Sequence, residues 1–266
     1  TPCGTLFPYT TLFRSRAVSV LLQEKFIARD QLYIIGICCE QKGMVDLKAL
    51  ANKFGVVQNV EFGEVNTFKV TANNETIEVE CKDYWQDRCR DCYTPYPIIY
   101  DLFIGFKEKR QVEEEYKEVK DLEAKAPEER WHFWHEQFEK CIRCYACRSV
   151  CPMCYCNECA VDTTDFEINA QTTAKQKAEK IKWIERSPSP SENAFYHYVR
   201  AIHLAGRCID CGECERVCPV NIPLRLLNKK MEKEAKELFD YKVGYDHKQP
   251  SLFSCYRDND PEDFIR

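Results

Sequence analysis

Cysteine spacing constrains this chain more than any other feature. Eighteen of its 266 residues are Cys. Cys141, Cys144, Cys147 and Cys151 follow the pattern C-x2-C-x2-C-x3-C, with Pro152 next. Cys208, Cys211, Cys214 and Cys218 repeat it, with Pro219 next. Secreted disulfide scaffolds are usually short, and this chain is too long and, at 30 % charged residues, too polar for that class. The thiols therefore point to metal. A net charge of −5 offers no basic field for nucleic acid. The longest strongly apolar run, Leu32 to Cys39, is too short to span a bilayer. No signal-peptide pattern opens the chain, so the expected location is cytoplasmic, without membrane insertion.

The repeated run suits 4Fe-4S clusters. Three thiolates two residues apart lie on a tight loop and wrap one face of a cubane. The fourth Cys points away from that loop and ligates the other cluster, and the following Pro turns the chain. The expected ligands are therefore Cys141, Cys144, Cys147 and Cys218 for one cluster, and Cys208, Cys211, Cys214 and Cys151 for the second. Zinc is the alternative, because Cys-x2-Cys pairs also suit tetrahedral zinc. The third Cys of each run would then be redundant. A zinc-stabilised interaction module is the corresponding non-redox reading. Trp131, Trp134, Ile142, Tyr145, Val150 and Ile209 are expected to keep water off the sulfurs.

Two further groups of Cys stand outside the runs. Cys154, Cys156 and Cys159 crowd into six residues, either as ligands of a further cluster or as thiols packed beside one. Cys38, Cys39, Cys81, Cys89 and Cys92 lie upstream. Cys89-x2-Cys92 is a ligand-type pair, and Cys38-Cys39 ends an apolar run from which a ligand could project. The alternative is buried thiols.

The fold class expected is α+β: an N-terminal α/β domain followed by an α-helical ferredoxin-like domain with two 4Fe-4S clusters. Thr5 to Ser15 matches the translation of a common sequencing adapter, so residues 1–15 are set aside as a scar and Cys3 is not counted as a ligand. Residues 16–106 form the α/β part. Strands are expected at Gln31 to Cys38, Val56 to Phe62, Thr67 to Ala72, Thr76 to Glu80 and Ile98 to Phe106. A hairpin turn is expected at Asn73-Asn74, and Asp46 caps a helix ending at Phe54. Residues 107–137 are a charged helical linker; sixteen of the 24 residues at 107–130 are charged. Trp131, Trp134 and Phe138 share a face leading into Cys141. Residues 138–243 are the dicluster part. It has helical stripes at Ala174, Ala178, Ile181 and Ile184, from Ser191 to Ala205, and at Leu224, Leu227, Met231 and Leu238. Residues 244–266 form a polar tail.

The 56 residues between the runs carry helices. Together with Cys218-Pro219-Val220-Asn221-Ile222-Pro223-Leu224, they make residues 138–240 resemble the α-helical ferredoxin domains of respiratory and anaerobic reductase iron–sulfur subunits. Upstream, Ile34-Ile35-Gly36-Ile37-Cys38-Cys39, Arg88-Cys89-Arg90-Asp91-Cys92 and Tyr100-Asp101-Leu102-Phe103-Ile104-Gly105 follow in order. This part resembles the C-terminal domain of the β subunits of deazaflavin-linked hydrogenases and formate dehydrogenases. The resemblance implies a third 4Fe-4S cluster on Cys39, Cys89 and Cys92, with Cys38 or Cys81 as fourth ligand. It also implies FAD and electron exchange with a deazaflavin. In that family the ferredoxin motifs precede this domain; here they follow it.

The five His form no zincin motif, and there is no G-x-G-x-x-G and no P-loop. Turnover of a substrate by this chain alone thus has little sequence support. The expected role is an iron–sulfur electron-transfer subunit of an anaerobic oxidoreductase complex of formate dehydrogenase, hydrogenase or heterodisulfide reductase type. Its partners would be a catalytic subunit and a protein or small-molecule electron acceptor. The alternative is a flavin-bearing catalytic β subunit.

Overall fold

The computed structural model describes residues 12–39, 43–63, 66–92, 94–107, 114–156, 159, 161, 171, 173–175, 188–252 and 255. The chain divides into two compact units. One is Tyr33–Glu115; the other joins Thr1–Leu32 to Tyr116–Arg266. Both helix and sheet are present, so the fold is α+β.

In the unit Tyr33–Glu115, strand β1 (Ile35–Ile37) is followed by helix α2 (Leu47–Phe54) and an antiparallel meander of β2 (Val57–Phe62), β3 (Thr67–Ala72) and β4 (Glu75–Glu80). Asp46 starts α2 as expected. Its Oδ1 accepts from Lys48 N at 3.0 Å and Ala49 N at 3.1 Å, filling two donors that a helix start leaves open. Asn73 and Asn74 both have positive φ, 52° and 64°, which the tight hairpin between β3 and β4 requires. Central strand β3 alternates, burying Phe68, Val70 and Ala72. Phe68 and Val70 pack with Leu50, Cys81 and Tyr84 as this unit's core.

Strand β1 pairs in parallel with β5 (Leu102–Ile104). Both are shorter than the apolar runs that suggested them. Gln31 belongs to a 3-10 turn, and Asp101 bends the chain before β5, its carboxylate accepting from Ile34 N at 2.7 Å. Gly36 is required in β1: a Cβ there would meet the Pro97 ring at 2.5 Å. The short helix α3 (Asp87–Arg90) carries Cys89.

The other unit is helical. Helix α1 (Leu12–Gln23) belongs here and not to the α/β part where residues from 16 onward were expected. Its Ala17 and Val20 are buried, and Arg16 donates to the Ile209 carbonyl and pairs with Glu232 at 3.5 Å. The charged stretch expected as a linker forms α4 (Lys117–Glu123) and α5 (Pro127–Glu139), and both are packed. Val119 of α4 is buried, while Glu123 pairs with Lys230 and Lys233. Pro127 opens α5, where its missing N–H costs nothing.

Three longer helices frame the cysteine runs. Helix α5 ends just before the first run and packs against α7 (Pro190–Leu204), which leads into the second; α9 (Leu224–Phe239) follows the second run. Gly206, at φ 68°, turns the chain after α7. Each run contains one helical turn, α6 (Ala146–Ser149) and α8 (Glu213–Arg216), and these turns pack on each other. Of the stripe expected at residues 174–184, only Ala174 lies among the described residues. Leu238, expected on the inner face of α9, is exposed. No helix among the described residues is long and apolar enough to cross a membrane.

Candidate metal centre

The two runs fold into the same loop. Arg143 and Asp210, each two residues after the first Cys, have φ of 55° and 53°. Tyr145 and Gly212, two residues further on, have φ of 58° and 65°. Such alternation turns successive backbone N–H groups inward, forming concavities that suit anionic iron–sulfur groups. Left-handed geometry at Arg143 and Tyr145 costs roughly 1–2 kcal/mol each, so something in the loop must offset it. Sulfur-directed N–H groups are present: Arg143 N donates to Cys141 Sγ and Ile222 N to Cys218 Sγ, both at 3.4 Å.

The thiols sit in poorly solvated surroundings. Cys147, Cys211, Cys214 and Cys218 are buried; Cys141, Cys151 and Cys208 are half-buried and Cys144 is exposed. Burial pushes the Cys141 thiol up, and the charges of Cys147 and of Cys218 from the other run push it further. Burial likewise lifts Cys208, with Cys211 adding to it, and holds Cys214 at about 12 against the pull of Arg200. Cys214 also feels Cys147. Such thiols resist ionising alone and lose their protons when a cation coordinates them. Among the described residues no three His, Cys, Asp or Glu side chains converge at the spacing of a single metal ion. A cubane spreads its four thiolates around a cage and does not require that convergence. The matching loop turns and the N–H groups donating to Cys141 and Cys218 sulfurs are what fit the residues present to 4Fe-4S clusters.

Helix α7 serves the first run with one polar stripe. Asn193, Tyr196, His197 and Arg200 recur at helical spacing and are all buried. Asn193 Nδ2 donates to the carbonyls of Phe138, at 3.1 Å, and Cys141, at 2.8 Å, fixing the end of α5 and the loop start. Tyr196 Oη lies 3.6 Å from Cys147 Sγ, and Arg200 Nη2 donates to the Cys147 carbonyl at 3.0 Å. His197 Nε2 lies 3.3 Å from Cys141 Sγ. Burial, with Arg200 and Arg143 nearby, drives the His197 pKa down to about 3, so the ring is neutral. A thiolate can only accept, which makes Nε2–H the donor.

Helix α9 serves the second run through a similar stripe. Arg225, Asn228, Lys229 and Glu232 are buried. Arg225 forks onto Asp210 at 2.7 and 2.8 Å, Lys229 reaches the same carboxylate at 3.3 Å, and Asn228 Nδ2 lies 3.6 Å from Cys214 Sγ. Burial alone would raise the Asp210 carboxyl, but Arg225 and Lys229 outweigh it and hold it at about 2.

The shield against water differs in part from expectation. Trp134 and Ile209 are buried, and Tyr145 and Val150 are half-buried. Trp131 is 62 % exposed and Ile142 57 % exposed, so neither shields a sulfur. Trp131 lies one turn before the rings that do: Trp134 stacks on Phe138, and Phe138 on His197. The turn at Arg143 sends its guanidinium inward to the Glu192 carbonyl and leaves Ile142 outside.

Of the upstream Cys, Cys81 lies in the meander's core, where burial raises its thiol. Cys38 is buried, with its Sγ against Gly105. Cys89 is buried and accepts from Met44 N at 3.2 Å; Cys39 and Cys92 are half-buried. His132 and His135 are exposed beside Glu136 and Glu139.

Residues 136–222 match the 4Fe-4S dicluster domain. That stretch contains both cysteine runs and helix α7. The chain is also similar to the F420-dependent formate dehydrogenase subunit beta of Methanocaldococcus jannaschii, with 28 % identity over 110 residues. The match covers 41 % of this chain and 24 % of that protein, so the chain spans about a quarter of the relative. The resemblance to formate dehydrogenase β subunits and to dicluster iron–sulfur domains thus stands. Both similarities support an iron–sulfur electron-transfer subunit. Neither they nor the described residues support FAD.

Proposed function

We propose that this chain relays single electrons through two 4Fe-4S clusters within an anaerobic oxidoreductase complex of formate dehydrogenase, hydrogenase or heterodisulfide reductase type. The observation that carries this reading is that Cys141 and Cys147 of the first run pack in one core cluster with Cys214 and Cys218 of the second, on two loops with left-handed turns at the same two positions. It supports Cys141, Cys144, Cys147 and Cys218 as one ligand set, and Cys208, Cys211, Cys214 and Cys151 as the other. A bound 4Fe-4S cluster supplies one-electron chemistry at a potential set by its surroundings. The chain's own residues set those surroundings. Trp134, Phe138 and Ile209 exclude water, which disfavours the more negative reduced state. The N–H groups of Arg143, Ile222 and His197 work in the opposite direction. Arg200 stays charged against the cost of burial because Cys214, Cys147, Cys151 and Cys154 surround it.

In this reading the partners are a catalytic subunit and an electron acceptor, and the location is cytoplasmic. An additional cluster on Cys39, Cys89 and Cys92 belongs to the same reading. Cys38 suits the fourth position better than Cys81, whose thiol packs within the meander's core.

Iron and acid-labile sulfide on anaerobically purified protein test the proposal. The expected result is at least about eight of each per chain with a broad visible absorption near the cluster region. Zinc without iron, in protein made with intact cluster-assembly machinery, would return the chain to the interaction-module reading.

A further inference from the structure

A cavity of about 850 Å³ lies in the helical unit, and its lining includes Cys154, Cys156, Cys159 and Cys255. The first three are close in sequence. Cys255 comes from the tail, nearly a hundred residues on, and no spacing rule links it to them. The fold places all four in the lining of one cavity. We propose that Cys154, Cys156, Cys159 and Cys255 hold a further iron–sulfur cluster in this cavity. The inference rests on the iron–sulfur reading of the chain.

Three observations support it beyond the thiols. Arg200, 4 % exposed, lines the cavity, and its Nε has no hydrogen-bond partner among the described residues. Its Nε remains an open buried donor beside the ligands of the two runs, and four thiolates around an iron–sulfur core would supply it with negative charge. Arg207, also on the lining, forks onto Glu24 at 2.6 and 2.8 Å and lies 4.9 Å from the ring of Tyr155, between Cys154 and Cys156 in sequence. Cys154 N donates to the carbonyl of Cys151, a ligand assigned to the second cluster, at 3.1 Å, so the new site adjoins that one. One electron then passes between adjacent cores. The reduced neighbour is oxidised by one electron and the further cluster reduced by one, with no bond made or broken and no proton moved.

The test uses the full chain, purified anaerobically, as wild type and as the double variant Cys156→Ala/Cys255→Ala. Both positions are exposed, so the helices should persist, and far-ultraviolet circular dichroism checks this. The double variant should lose about four iron and four sulfide per chain, together with one reduced-state paramagnetic signal. The signals that respond to Cys144→Ala and Cys208→Ala should stay. Cys255→Ser alone should alter the same signal, and it decides the matter if the double variant folds poorly. Wild-type iron in every variant would overturn the site while leaving the two ferredoxin-run clusters standing. So would one zinc per chain that the double variant loses. A wild type without iron would instead overturn the underlying reading.

Discussion

The two cysteine runs share a backbone but not an electrostatic environment. Both turn through left-handed residues at the same two positions, and both receive a polar stripe from a following helix. Around the first run the donors to sulfur and carbonyl include a neutral imidazole, a phenol and an amide, with Arg200 bound to the loop. Around the second run the stripe is ionic: one buried carboxylate, Asp210, is held by Arg225 and Lys229. Sequence spacing sets what the loops can ligate. The helices behind them set how each loop is held and, in the proposed reading, how readily its cluster takes an electron.

The sharpest way to break the comparison is Asp210→Ala. It removes the buried carboxylate that Arg225 and Lys229 share, and losing one partner of such a network costs about 3–5 kcal/mol. Thermal unfolding of the cluster-loaded protein should show a large drop. A change within error would mean that water reaches this network and that the second run is not the ionic one.

His197→Phe sharpens the comparison at the first run. Phe keeps the stack on Phe138 and removes the Nε2 donor to Cys141. One hydrogen bond of about 0.5–1.5 kcal/mol, lost chiefly from the reduced state, lowers a one-electron potential by roughly 20–60 mV. Redox titration should show one midpoint falling and the other staying. Equal shifts in both would contradict separate environments.

The smallest effect lies at the rim. Glu123 pairs with Lys230 and Lys233, on the same helix that buries charge against Asp210. Burial would raise the Glu123 carboxyl, but these lysines outweigh it and hold it below its usual value. The contribution is therefore present above the ordinary carboxylate range and lost as pH falls through the lower folded value. Glu123→Ala should cost under about 1 kcal/mol at neutral pH and nothing in acid, measured by denaturant unfolding at both.

How far the sequence reached follows from what each feature depends on. Cysteine spacing is local, so the dicluster domain was legible from it. So were the Asp46 cap, the Asn73-Asn74 turn and the ends of α7. The left-handed turns at Arg143 and Tyr145 were not, because neither residue favours that geometry and only the loop imposes it. The stripe on α7 was hidden for a similar reason. Tyr196, His197 and Arg200 look like a solvated face until the cysteine loop covers them. Arg16 gave no sign of reaching Ile209, and Cys255 none of joining Cys154, because both are long-range meetings that periodicity does not encode.

The most direct test of the central claim is whether Cys218 serves the cluster of the other run. Low-temperature paramagnetic spectra of the reduced protein can be compared for Cys141→Ala, Cys208→Ala and Cys218→Ala, each checked for retained helix content. The account predicts that Cys218→Ala alters the signal that Cys141→Ala alters and spares the one that responds to Cys208→Ala. Matching Cys208→Ala instead would mean that each run closes on its own cluster, contradicting the account.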